Sequence, residues 1–214
     1  MADLNSLYEA ILKGKQKIAV EVTQAAIDEN IAPKELIDNY LIKAMEEIGR
    51  RFEAQQAFVP ELLMAGRAMK SSLTLLQPLL KGEDATSKMG TVVIGTVKGD
   101  LHDIGKNLVG SMFEGCGFQV IDLGVDTDAT KFVEAAQKHN ANIIGLSALL
   151  TTTMPYMKTV IEALEQAGIR KNVKVMVGGA PVSAGFAAEI GADGFSDSAN
   201  SAVIKAKELL GVTC

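Results

Sequence analysis

The chain predicts an α/β architecture: an N-terminal four-helix bundle over residues 1–88, linker included, followed over 89–214 by a Rossmann/flavodoxin-like, doubly wound parallel sheet of five strands. Three observations carry this. Apolar residues recur at helical spacing as far as about residue 80; the segment Lys81-Gly82-Glu83-Asp84-Ala85-Thr86-Ser87-Lys88 is polar and aperiodic; and beyond it short β-rich runs alternate with helical stretches.

In chain order, the first two helices read as Leu4–Lys13 and Lys15–Asn30, separated by Gly14. Pro33 and Glu35 mark the start of the third, since proline loses nothing in a first helical turn and an acid there complements the dipole. Its apolar face is Leu36, Ile37, Tyr40, Leu41, Ala44, Met45 and Ile48. A fourth runs from about Pro60 to Leu80, with Leu62, Ala65, Met69, Leu73 and Leu76 spaced by threes and fours. The β-rich runs are Thr91–Val97, Phe118–Leu123, Ile143–Ser147, Val173–Val177 and a weaker Gly194–Ser196, with a last helix over Ser201–Leu210. A strand order of 2-1-3-4-5 is expected, which places the ligand site at the loops after strands 1 and 3 and the neighbouring loop after strand 4.

Composition narrows the function. Twenty-one basic against 26 acidic residues leave a net charge of -5 spread evenly along the chain, so no basic face is available and nucleic acid is not an expected partner. No run of 18 apolar residues and no charged, then apolar N-terminal segment occurs, so neither membrane insertion nor secretion is expected. Cysteine usage is sparse, with Cys116 reading as core and Cys214 as tail. A reducing cytoplasm is the expected compartment.

The loop after strand 1 holds Asp100 and His102, and a carboxylate that accepts one imidazole N–H fixes the tautomer and raises the basicity of the other nitrogen. A single histidine cannot hold a bare transition-metal ion, so a metal bound there must arrive with its other ligands in a cofactor. The loop after strand 3 carries Ser147, Leu149, Thr151, Thr152 and Thr153. After strand 4 come Gly178 and Gly179, which let a ligand approach the backbone. Asp103 reads as a helix-start acid, His139 as solvated, and Met45, Met64 and Met69 as core.

Asp100-x-His102-x-x-Gly105, then 41 residues, Ser147-x-Leu149, then 28 residues, Gly178-Gly179, resembles the signature of cobalamin-binding domains of the methionine synthase type. Residues Ala44 to Phe52 and Phe58-Val59-Pro60 are similar to the helical cap of those enzymes. The likeness spans nearly the whole chain, and a free-standing pair of this size resembles the small corrinoid proteins of anaerobic methyltransferase systems. That resemblance implies a cap over residues 1–88 and a cobalamin-binding domain over 89–214. It implies His102 as the cobalt ligand beneath the corrin ring, replacing the cofactor's own dimethylbenzimidazole, with Asp100 behind it. Thr153 completes the relay where methionine synthase has serine.

By the same resemblance Gly105, Ser147, Leu149, Thr151, Gly178 and Gly179 line the path of the nucleotide tail. Phe52 shields the upper face, and Val59 stands where methionine synthase has a larger aliphatic residue. The implied cofactor is cobalamin or a related corrinoid, cycling between methylcob(III)alamin and cob(I)alamin. The chain is then a methyl carrier, non-catalytic alone, served by a substrate-specific methyltransferase, a second methyltransferase and a reductive activase. Methylamines, quaternary amines such as betaines, methanol and methoxyaromatics are open as donors, the amines favoured; a thiol coenzyme or tetrahydrofolate is the acceptor.

Two other readings share the histidine motif. A cobalamin-dependent sensor would add a DNA-binding module, for which no basic recognition helix is seen. The small subunit of an adenosylcobalamin mutase would ordinarily lack the cap. A receiver-like or flavin-binding module leaves the Gly178-Gly179 pair and the bundle unexplained.

Overall fold

The computed structural model describes residues 2–80 and 89–212. The polar segment 81–88 and Cys214 lie outside the described residues. Residues 2–80 form one compact unit together with Glu114–Gly117, and Met89–Phe113 with 118–212 form a second.

In the first unit, α1 (Leu4–Leu12) starts where the Asp3 carboxylate accepts the Ser6 N–H at 3.2 Å. It stops at Gly14, whose φ of +62° suits glycine and where a Cβ would run into Met64. Helix α2 (Gln16–Asp28) packs on α5 (Val59–Leu76) through small side chains, with the Thr23 hydroxyl 2.7 Å from the Ala19 carbonyl and 3.0 Å from the Ser72 hydroxyl. The third helical stretch begins at Pro33 as α3 (Pro33–Leu36), widens into a π turn over Ile37–Leu41 and continues as α4 (Ile42–Glu53). The wide turn shifts the apolar face: Leu36 and Leu41, five residues apart, are fully buried, whereas Ile37 and Tyr40 are only half-buried.

Helix α5 starts just before the expected Pro60, because the Glu61 carboxylate reaches back 2.8 Å to the Phe58 N–H and closes the first turn. Met45 and Met69 are core, but Met64, expected there, is 44% exposed. On a 3.6-residue period it falls at the margin of the face made by Leu62, Ala65 and Met69, with its Cβ beside Gly14.

The second unit alternates strands and helices: β1 (Thr91–Thr96), α6 (Ile104–Gly115), β2 (Gln119–Asp122), α7 (Ala129–His139), β3 (Ile143–Ser147), α8 (Tyr156–Gln166), β4 (Lys174–Gly178), α9 (Ala184–Glu189), β5 (Gly194–Phe195) and α10 (Ala199–Leu210). All strand pairs are parallel, in the expected order β2-β1-β3-β4-β5. The central strands are apolar runs because helices cover both faces. Gly95 in β1 makes room for the Phe132 ring, which a Cβ there would approach to 2.8 Å. Both edges are short, four residues in β2 and two in β5.

Helix α10 starts two residues before the expected Ser201, since the Ser198 hydroxyl accepts the Ser201 N–H at 3.1 Å. His139, expected in solvent, is half-buried at the end of α7, and Cys116 is buried as expected. Among the described residues, no helix is long and apolar enough to cross a membrane.

Candidate functional site

Register aligns the ends of the three central strands. Thr96 pairs with Ser147 and Ser147 with Gly178, so the loops that follow β1, β3 and β4 leave the sheet side by side at its carboxyl edge. The β1 loop is tied to that edge at once: the Val97 N–H donates to the Ser147 carbonyl at 3.0 Å, and the Asp100 N–H turns back to the Val97 carbonyl at 3.1 Å.

That turn carries the Asp100 side chain inward, where it is fully buried. Its Oδ2 accepts the Thr153 hydroxyl at 2.7 Å and the N–H groups of Leu149 and Leu150 at 2.8 and 3.2 Å. Its Oδ1 lies 2.7 Å from His102 Nδ1 and also accepts the His102 N–H at 3.1 Å. Burial by itself would raise the Asp100 pKa, but the hydrogen bonds from Thr153, Leu149 and His102 outweigh it and hold the carboxyl well below the usual range. An ionised carboxylate only accepts, so His102 Nδ1 is the donor of this pair, and in the neutral ring Nε2 is the nitrogen that carries the lone pair. The Thr96 hydroxyl fixes the histidine backbone as well, donating to the His102 carbonyl at 2.9 Å.

The His102 side chain is 51% exposed although its anchor is sealed. Around it stand Leu101 and Ile104, 72% and 85% exposed, with Leu149 and Leu150 also open to solvent. Helix α6 begins at Ile104, behind Asp103, whose carboxylate accepts from the Asn107 amide at 3.0 Å as a helix-start residue does. Gly105 sits in the first turn, and a Cβ there would meet nothing within 4 Å. At Gly179, by contrast, φ is +128° and a Cβ would collide with the Ala148 carbonyl oxygen, so the β3 and β4 loops touch backbone to backbone. Gly178 and Ser147 are half-buried beside each other, and Thr151 is exposed.

Asp100, His102, Thr153 and Leu149 are thus in one hydrogen-bonded group, with Ser147, Gly178 and Gly179 on the adjoining strand ends. Phe52, half-buried in the last turn of α4, and Val59, the exposed first residue of α5, belong to the helical unit. Sequence reasoning missed Thr96, Leu101, Ile104 and Leu150. Leu101 and Ile104 carried a signal, two large apolar side chains flanking a histidine in an otherwise polar loop.

Among the described residues, no group of three or more His, Cys, Asp or Glu side chains is placed to hold a metal ion. One imidazole nitrogen with an apolar surround is the donor set of a site whose metal brings its remaining ligands with it.

Comparison with known proteins adds the following. A family model described as a B12 binding domain matches residues 90–204, and a second of the same description matches residues 3–77. The dimethylamine corrinoid protein 1 of Methanosarcina acetivorans is 44% identical over 207 residues, 97% of each chain. A cobalamin-binding protein from Desulfitobacterium hafniense superposes with a TM-score of 0.81 at 33% identity, covering 98% of this chain and 99% of that one. A chain of the methanol:cobalamin methyltransferase complex MtaBC from Methanosarcina barkeri superposes with a TM-score of 0.85 at 30% identity, covering 98% of this chain and 80% of that one.

Proposed function

The chain belongs to the family of small B12-binding corrinoid proteins of methyltransferase systems, and from that premise we propose that it carries methyl groups between two methyltransferases, with methylamine-type compounds as donors. The observation that carries the reading is the placement of His102: Nδ1 is committed to the buried carboxylate of Asp100, which leaves Nε2 as the ring nitrogen available to a ligand, on a half-exposed side chain among exposed apolar residues. The residues present fit a corrinoid. Leu101, Ile104, Leu149 and Leu150 offer apolar surface to a large flat ring, while the open space at Gly105 and the side-chain-free Gly178-Gly179 leave room for a tail along the strand ends.

When bound, the corrinoid supplies a cobalt centre that accepts and releases a methyl group. His102 Nε2 is the ligand we assign to it. Asp100 keeps the imidazole in the ligating tautomer, and the Thr153 hydroxyl with the Leu149 and Leu150 N–H groups keeps Asp100 ionised. The Nδ1–H to Oδ1 hydrogen bond would hold the ring in the same place whether Nε2 serves as a ligand or not. Phe52 and Val59 are assigned, by likeness to methionine synthase caps, to shielding the reactive face from water. Two cysteines in 214 residues support a reducing cytoplasm as the compartment.

The test is a visible absorption titration with hydroxocobalamin. The wild-type protein is expected to give a base-off, histidine-bound spectrum at stoichiometric cofactor, and His102→Ala to stay folded without it. No binding by the wild type, or an unchanged spectrum in the variant, overturns the assignment.

A further inference from the structure

The connection between β2 and α7 holds the His102 loop from behind. The Thr96 N–H donates to the Gly124 carbonyl at 2.9 Å and the Thr127 N–H to the Thr96 carbonyl at 3.0 Å, which ties the connection to the end of β1. Lys98 pairs with Asp128 at 2.9 Å ahead of the histidine. Beyond it, the buried Lys106 ammonium reaches Asp122 Oδ1 at 2.6 Å, the same oxygen that accepts the Gly124 N–H at 2.9 Å. The loop is thus gripped on both sides of the imidazole by residues 122–128.

At the centre of the grip is Asp126. Its φ is +50°, a left-handed backbone that costs most residues energy and that Asp and Asn adopt more readily than others. In that conformation its Oδ1 accepts the Gly99 N–H at 2.7 Å, and its own N–H donates to the Asp100 carbonyl at 3.0 Å. The two bonds bracket the Asp100 backbone. Gly99, at φ +84°, is the most permissive residue of the loop, and the Asp126 carboxylate removes that freedom. Asp126 itself is exposed, so core packing does not explain its placement. A non-glycine residue in a sparsely populated conformation beside a site is a place to look for a positioning role.

We propose that Asp126 is a positioning residue for the axial ligand: by clamping Gly99 and Asp100 it fixes the direction in which Asp100 presents the His102 imidazole. The proposal rests on His102 being that ligand.

Hydroxocobalamin titrations of the wild type, His102→Ala, Asp126→Ala, Asp126→Gly and Asp126→Asn test it, with affinity, the histidine-bound fraction at saturation and the apo thermal midpoint as readouts. Groups directly behind a metal ligand cost roughly 10–100-fold when removed, and Asp126 stands one step further back. Asp126→Ala and Asp126→Gly are therefore expected to weaken binding roughly three- to tenfold and to leave part of the bound cofactor without the histidine signature. Glycine tolerates the left-handed backbone, so its failure isolates the lost side-chain acceptor from backbone strain. Asparagine keeps both the acceptor and the conformation and is expected to restore affinity to within about twofold.

Alanine and glycine variants that match the wild type in affinity and spectrum overturn the proposal, and so does an asparagine variant as weak as alanine. Failure of the underlying ligand reading looks different: the wild type itself then lacks the histidine-bound spectrum, or His102→Ala retains it.

Discussion

Two carboxylates sit at opposite ends of the same parallel sheet and are built alike up to a point. At the amino-terminal end Asp193 accepts the Val175 N–H at 2.7 Å and pairs with the Arg170 guanidinium at 2.8 Å, as Asp100 at the carboxyl end accepts backbone N–H groups and pairs with His102. The difference lies in what the cationic partner does with its remaining valence. Arg170 spends it on the Gly191 carbonyl at 2.6 Å and the Val173 carbonyl at 3.2 Å, closing the corner on itself. His102 does not: one nitrogen faces Asp100, and among the described residues no protein group hydrogen-bonds to the other. The same local chemistry makes a staple at one end and, in the function proposed above, a ligand at the other, according to whether the partner's remaining nitrogen is used by the protein.

Reciprocal substitutions test this most strongly. His102→Ala is expected to abolish the histidine-bound cobalamin spectrum while lowering the apo thermal midpoint only slightly, because Asp100 keeps its bonds from Thr153, Leu149, Leu150 and the backbone N–H at position 102. Arg170→Ala is expected to leave the spectrum intact and to lower stability by about 1–3 kcal/mol, the cost of stranding Asp193 and two carbonyls. A spectral change in the arginine variant would break the contrast.

A smaller effect is expected from Asp100→Asn. The amide keeps one acceptor oxygen but turns a second one into a donor facing donors, so cobalamin affinity should fall roughly 10–100-fold. The same variant carries a pH signature. Because the folded-state pKa of Asp100 lies below its ordinary value, its contribution to stability is present above that value and is lost as pH falls beneath it. Acid denaturation of the apo wild type below about pH 4 should therefore be steeper than that of Asp100→Asn; parallel curves would remove the buried-anion account.

The smallest effect is expected at Gly105. Alanine has open space there and favours the helix by up to about 1 kcal/mol, so Gly105→Ala should raise the apo midpoint slightly yet weaken cobalamin binding. Stabilisation without loss of affinity would exclude the ligand from that position.

The halves of this contrast were unequally legible in the sequence. The period change near residue 80 and the five β-rich runs follow from hydrophobic patterning, which is a property of whole segments, whereas the sheet order was expected only because five-unit chains of this kind commonly adopt it. Asp100 and His102 were legible because two residues of spacing place a carboxylate and an imidazole in one turn. The Asp126 clamp was not, since a left-handed φ at an aspartate leaves no trace in periodicity, and its partners Gly99 and Asp100 lie 27 and 26 positions away. The π turn at Ile37–Leu41 was hidden for a related reason: one extra residue in a turn rotates the buried face without changing which residues are apolar. Met64 shows the reverse error, an apolar residue placed inside by type although it sits at the margin of the packed face and is 44% exposed.

The brevity of β2 and β5 has a consequence for how the molecule meets others. An edge strand is a row of unsatisfied amides and carbonyls that recruits any extended chain, and long rows are where sheets fuse into aggregates. With four residues on one flank and two on the other, the ladder offered to a stranger is too short to hold it. The flanks of the sheet are thus poor templates for an added strand, and the large apolar side chains exposed beside His102 lie at the loop-bearing end, away from those edges.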